Sequence, residues 1–116
     1  SRIRTYPRGL DAEIFNMPAL ELANKEATLG FEREHVTPYM FQHPDKFLLY
    51  DFRGDEDLSK YRWTLDTPED FKFFEAIYSE LYKEGKIIST ADVLGLLSRR
   101  PELCKLNEHI RQKQIP

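Results

Sequence analysis

The chain has 116 residues, enough to bury one core, with 17 lysines and arginines against 20 aspartates and glutamates mixed along its length. That balance leaves no basic stripe for nucleic acid, and no apolar run reaches the roughly 20 residues a membrane-spanning helix needs. The one cysteine, Cys104, excludes an internal disulfide and a thiolate zinc site and fits a reducing compartment, so the expected setting is the cytoplasm. One domain, or a fragment of one, is expected over residues 1–116; the initial serine suggests a processed product or a fragment.

Residues 1–9 carry Arg2, Arg4, Pro7, Arg8 and Gly9 and read as a loop or edge segment. Arg8 and Gly9 suit either a solvated turn or the approach of an anion. Residues 10–15 alternate, so a strand is expected, with Leu10, Ala12 and Ile14 on one face and Asp11, Glu13 and Phe15 on the other. Two carboxylates on one face are either solvated at an edge or turned towards a cation or hydrogen-bonding ligand. Asn16 is the expected cap of a helix from Met17 or Pro18 to about Thr28, burying Leu20, Ala23 and Ala27 and ended by Gly30.

Residues 31–41 are dense in chemistry: Glu32, Arg33, Glu34 and His35 in succession, then Thr37, Pro38 and two aromatics. A helix distorted before Pro38 is expected. The Arg33 fork suits a carboxylate or phosphate, and His35 is the side chain that titrates near neutrality. The alternative is a salt-bridged turn in which Glu32 or Glu34 pairs with Arg33. After His43, Pro44 and Asp45, residues 47–52 are almost wholly apolar and predict a strand buried on both faces, and residues 53–57 an exposed turn.

Residues 62–71 combine an alternating run (Arg62, Trp63, Thr64, Leu65), an acid (Asp66) and a helix start (Thr67, Pro68, Glu69, Asp70). Capping, the proline φ and the helix dipole account for residues 67–70 but do not require Asp66. That carboxylate is either an alternative cap or, at the end of a strand where α/β folds bind ligands, a holder of Mg²⁺ beside a phosphate. The helix from Pro68 is expected to bury Phe71, Phe74, Tyr78 and Leu81, with Phe73 and Ile77 beside them, and to end at Gly85. The tail predicts helices after Ser89 or Thr90 and after Arg100, with His109 at the surface. No GxGxxG or GxxxxGK[ST] pattern occurs.

Residues 7–15, 32–39 and 62–71, in this order and spacing, resemble the C-terminal half of the spore-coat polysaccharide biosynthesis protein F family, akin to the cytidylyltransferases that activate acylneuraminate and 3-deoxy-manno-octulosonate. The resemblance extends through Pro101, Glu102, Leu103 and the stretch from Asn107 to Ile110. It implies an α/β fold, the C-terminal half of a Rossmann-like nucleotide-diphospho-sugar transferase, with few strands and a helical C-terminal tail. It further implies transfer of CMP from CTP to a sugar acid by a cytoplasmic homodimer with Mg²⁺, which makes Asp66 a metal ligand. Asp11 and Glu13 then lie beside the sugar pocket, and Glu32, Arg33 and His35 near the sugar acid and the second subunit. Members of the family carry a glycine-rich triphosphate loop that is missing from these 116 residues. Isolated, the chain is therefore expected to be inactive. Two other readings stand beside this one: a non-catalytic dimerisation or interaction module, and a nucleotide-sugar glycosyltransferase, for which Asp55, Glu56 and Asp57 offer the Asp-x-Asp spacing alone.

Overall fold

Local capping chemistry starts the longer helices. In the computed structural model, which describes residues 3–116, the elements are α1 (Met17–Glu26), α2 (Gly30–His35), α3 (Pro38–Gln42), α4 (Pro68–Leu81), α5 (Thr90–Arg99) and a 3₁₀ helix (Pro101–Leu106). Asn16 accepts from the Ala19 N–H at 2.9 Å. Thr67 and Ser89 each form a reciprocal box, with Asp70 and Asp92 three residues on. The chain divides into two compact units.

The first unit is built chiefly from Ala12–Asp55 and Gln112–Pro116. Its core is Ala23 and Ala27 of α1 against Tyr39 and Met40 of α3 and Phe47, bordered by Leu20, Leu22 and Leu49. The Tyr39 ring stacks on His43 at 4.0 Å and meets Phe47 edge-on at 6.0 Å. Its hydroxyl donates to the Glu26 carboxylate, to which Lys46 also donates at 2.7 Å. Those bonds hold the Glu26 carboxyl below and the Lys46 ammonium above their ordinary values.

Three expectations are corrected here. Gly30 opens α2 instead of closing α1, which stops at Glu26 with Ala27 already extended. Residues 47–52 keep a period of two but form no ladder: Phe47 and Leu49 face the core, whereas Leu48 (105%), Tyr50 (89%) and Phe52 (72%) are exposed. Burial on both faces requires neighbouring strands and a second covering layer, and none stands among the described residues. Residues 10–15 likewise form no strand, and Ile14 is fully exposed.

The second unit joins Thr5–Asp11 to Glu56–Arg111. An isolated parallel bridge between Arg8 and Arg62 is the sole β pairing among the described residues. The Arg8 N–H donates to the Tyr61 carbonyl at 3.0 Å, and the Trp63 N–H donates to the Arg8 carbonyl at 2.6 Å. Gly9, at φ 111°, lies so close to the returning chain that a Cβ there would stand 2.0 Å from the Trp63 carbonyl oxygen. The close approach thus explains Gly9. Its N–H donates at 3.0 Å to Asp11, so the local carboxylate takes the place of the anion considered above.

α4 buries Phe73 and Ile77 against Leu96 and Leu97 of α5 and Leu103 of the 3₁₀ helix. The predicted stripe is therefore corrected by a rotation. Phe74 and Leu81 are half-buried, while Phe71 (60%) and Tyr78 (54%) are exposed. The cause is Asp70, which turns fully inward and fixes which side of the helix faces the core.

Replacing Gly9 with alanine is expected to destabilise the fold by about 2–4 kcal/mol, since the new methyl meets backbone and the φ is unfavourable. Urea unfolding of Gly9→Ala against the parent chain measures it; a change below about 0.5 kcal/mol would contradict the close approach.

Candidate metal and substrate site

The head of α4 carries two aspartates with opposite surroundings. Asp70 is completely buried. Arg62 grips it with two prongs, Nε to Oδ1 at 2.9 Å and one terminal nitrogen to Oδ2 at 2.8 Å. Asn107 donates to Oδ1 at 2.9 Å, and the N–H groups of Asp66 and Thr67 donate to Oδ2 at 3.0 and 3.1 Å. Every partner favours the ionised form, Arg62 most strongly, so the Asp70 carboxyl is held far below the usual range and the Arg62 guanidinium above its own. Asn107 completes the cluster by donating to the Arg62 carbonyl at 2.9 Å.

Asp66 is the contrast. Its side chain is 59% exposed and meets Arg62 at 3.4 Å, a loose contact compared with that of Asp70. It is not the cap, since Thr67 fills that role. Its carboxylate retains acceptor capacity for a cation. No group of three or more His, Cys, Asp or Glu suited to a metal exists among the described residues. One exposed carboxylate fits Mg²⁺, which completes its shell from water and phosphate oxygens, and does not fit an all-protein metal cage.

Of the other residues singled out from the sequence, Asp11 shares the second unit with Asp66, and Glu13, Glu32, Arg33 and His35 fall in the first. Glu13 is brought to the dense stretch by the Thr37 hydroxyl, which donates to its carboxylate at 2.6 Å. Glu32 is buried, and its Oε2 accepts from the Thr28 and Leu29 N–H groups at 3.0 Å each, capping its own helix. Arg33 pairs with neither Glu32 nor Glu34. Its guanidinium donates to the carbonyls of Asn24 and Ala27 and to the Asn24 side chain, satisfying the end of α1. The exposed His35 ring stands 4.0 Å from Glu34.

Between His35 and Pro38 the chain makes a tight γ-turn: the Thr37 N–H donates to the His35 carbonyl at 2.8 Å, with Val36 at φ 68°, ψ −54°. A β-branched residue there costs about 1–3 kcal/mol, and such strain gathers at functional segments. Pro38 then opens α3 at its first turn, which divides the expected single helix into two.

Sequence reasoning missed the Arg62, Asp70 and Asn107 cluster. The available signal was an arginine within an otherwise alternating apolar run, eight residues before an acid at a helix's third position. In the same unit a cleft of about 240 Å³ is lined by Lys60, Trp63, Phe73, Cys104 and Glu108 among others, and Asp66 is not part of its wall. Burial raises the Cys104 thiol. Trp63 Nε1 and Thr64 Oγ1 are buried without a hydrogen-bond partner among the described residues.

No family model matches the chain. It is 36% identical over 109 residues to an uncharacterized protein, MJ1063, of Methanocaldococcus jannaschii, covering 90% of this chain and 43% of that one. It is 29% identical over 103 residues to the spore coat polysaccharide biosynthesis protein SpsF of Bacillus subtilis, covering 86% and 42%. The structure matches a cytidylyltransferase from Leptospira borgpetersenii with a TM-score of 0.80 and 32% identity, over 94% of this chain and 44% of that chain. The chain thus spans less than half the length of the relatives it matches. The likenesses to SpsF and to the solved enzyme support a cytidylyltransferase kinship and a nucleotidyltransferase-like fold for the aligned part. No helix among the described residues is long and apolar enough to cross a membrane.

Asp70→Asn is expected to cost about 3–5 kcal/mol, because Arg62 loses its buried counter-charge. The folded chain keeps Asp70 ionised well below the ordinary value of 3.8. Its stabilisation is therefore complete above that pH and is lost on acidification through the folded-state value. Denaturation midpoints between pH 6 and 2 should fall more steeply for the parent than for Asp70→Asn; parallel profiles would contradict the assignment.

Proposed function

We propose that this chain is the metal- and sugar-facing part of a Mg²⁺-dependent cytidylyltransferase, with the Rossmann-like architecture of such enzymes completed outside these 116 residues. The observation that carries the reading is Asp66: a carboxylate at the head of α4 that capping does not use, exposed, in a chain with cytidylyltransferase kin. In the reaction, a sugar-acid hydroxyl attacks the α-phosphorus of CTP. The new O–P bond forms, the bond to pyrophosphate breaks, and the hydroxyl proton leaves to solvent or base. Mg²⁺, when bound, spreads the charge growing on the phosphate oxygens.

Asp66 holds the ion. Asp70 neutralises Arg62 from the buried side, so the arginine steadies the strand-to-helix turn without quenching the Asp66 charge. Asp11 and Glu13 accept hydrogen bonds from sugar hydroxyls. Arg33, anchored on the end of α1, fixes α2 so that the exposed His35 meets the sugar acid, and Glu32 contributes by capping that helix. The intact enzyme works in the cytoplasm as a homodimer and supplies activated sugar for cell-surface or spore-coat polysaccharide.

Two measurements test this. The isolated chain is expected to give no CMP-sugar from CTP and sugar acid, because the triphosphate loop is not among these residues; product formation would overturn that part. In calorimetric Mg²⁺ titration with CTP present, Asp66→Ala is expected to weaken binding by at least about tenfold, a loss near 1.4 kcal/mol. Binding indifferent to the substitution would favour a non-catalytic module.

A further inference from the structure

A carboxylate that holds a cation without other protein ligands depends on the groups behind it for its position. The Asp66 side chain is mostly exposed, so it is placed by hydrogen bonds rather than by packing. Its N–H donates to Asp70 Oδ2 at 3.0 Å, as the Thr67 N–H does at 3.1 Å. Its carboxylate meets the Arg62 guanidinium at 3.4 Å. Asp66 thus takes its position from Asp70 and Arg62.

Both of those residues are held by Asn107. Its amide nitrogen donates to Asp70 Oδ1 and to the Arg62 carbonyl, each at 2.9 Å, reaching back 37 and 45 residues. A side-chain amide has two N–H protons, and both are committed here. Its orientation is fixed, because the amide oxygen turned to these neighbours would face two other acceptors. Among the described residues, the other donors to the Asp70 carboxylate are Arg62, Asp66 and Thr67, all within residues 62–70. Asn107 is the donor that ties this turn to another element. It stands at the end of the 3₁₀ helix, whose Leu103 packs with Phe73 and Ile77 of α4, and it is itself buried.

We infer that Asn107 is a positioning residue for Asp66: by holding Asp70 and the Arg62 backbone from outside the turn, it sets where the metal-holding carboxylate stands. It touches neither metal nor substrate. The inference deepens the proposed function and rests on that reading for the metal, whereas the placement of Asp66 by Asn107 stands on the hydrogen bonds alone. An ionised carboxylate at this position would have no proton for either acceptor, and an aliphatic side chain none, so the amide is the group the position requires.

The experiment follows the whole chain by amide NMR, with Mn²⁺ alone as the probe of the site. In the parent, Mn²⁺ is expected to broaden signals around Asp66, and Asp66→Asn to abolish the broadening. Asn107→Ala is compared under conditions where circular dichroism shows it fully folded. Its Asp66 and Thr67 amide protons should move upfield as their bonds to Asp70 lengthen, with Ile77 unmoved, and the Mn²⁺ affinity read from the broadening should fall by at least about tenfold. An asparagine that served stability alone would leave both readouts of the folded variant where the parent has them, and that result overturns the inference. Shifted amides without a loss of affinity overturn it too. If Mn²⁺ leaves Asp66 sharp in the parent, the metal reading fails, and the amide shifts still decide whether Asn107 places Asp66. Asn107→Ser, which keeps one donor, serves where the alanine variant does not fold; failure of both to fold overturns the inference in favour of a purely structural residue.

Discussion

The second unit depends on one buried ion pair. Asp70 reaches the interior with no exposure because Arg62, Asn107 and two backbone N–H groups together meet its charge and its lone pairs. Charges are seldom buried unless so satisfied. The cluster ties three distant pieces together: the bridge segment, the first turn of α4 and the end of the 3₁₀ helix. It also sets the rotation of α4, and with it which aromatics pack on α5 and which look outward.

The same cluster separates two acids four residues apart. One is neutralised inside and serves the fold; the other remains in water with capacity to spare. A cap and a metal ligand were competing explanations for Asp66 in the sequence. The capping box of Thr67 and Asp70 removes the first, since the helix start is already complete. The dense stretch shows a comparable division: Glu32 and Arg33 serve the ends of α2 and α1, while Glu13, Thr37 and His35 stay near the surface around a strained valine.

What was legible in the sequence was local. Asn16, Thr67 and Ser89 announce helices because a cap acts over three residues, and Pro68 marks a first turn for the same reason, whereas Pro38, expected to distort one helix, opens a second. The strands were not legible, although the alternation at residues 47–52 is real, because a strand is defined by what lies beside it. Here the neighbours that would bury Leu48 and Tyr50 are not among the described residues. Asp70 was read correctly as part of the helix start, but its burial was missed because the deciding partners are 8 and 37 residues away. Arg33 was read against its acidic neighbours when its real acceptors were the unfilled carbonyls nine and six residues back.

The path of the backbone has a kinetic side. Thr5–Asp11 belongs with Glu56–Arg111, so the chain leaves the second unit, builds most of the first, and only then returns. During synthesis, Arg8 has no strand to pair with until Arg62 has emerged, and the enclosed loop must close at an entropic cost before the bridge rewards it. The helices of residues 17–42 can condense meanwhile on their own contacts. Folding should therefore proceed out of chain order, with Gly9 meeting its neighbour only after Trp63 has been made.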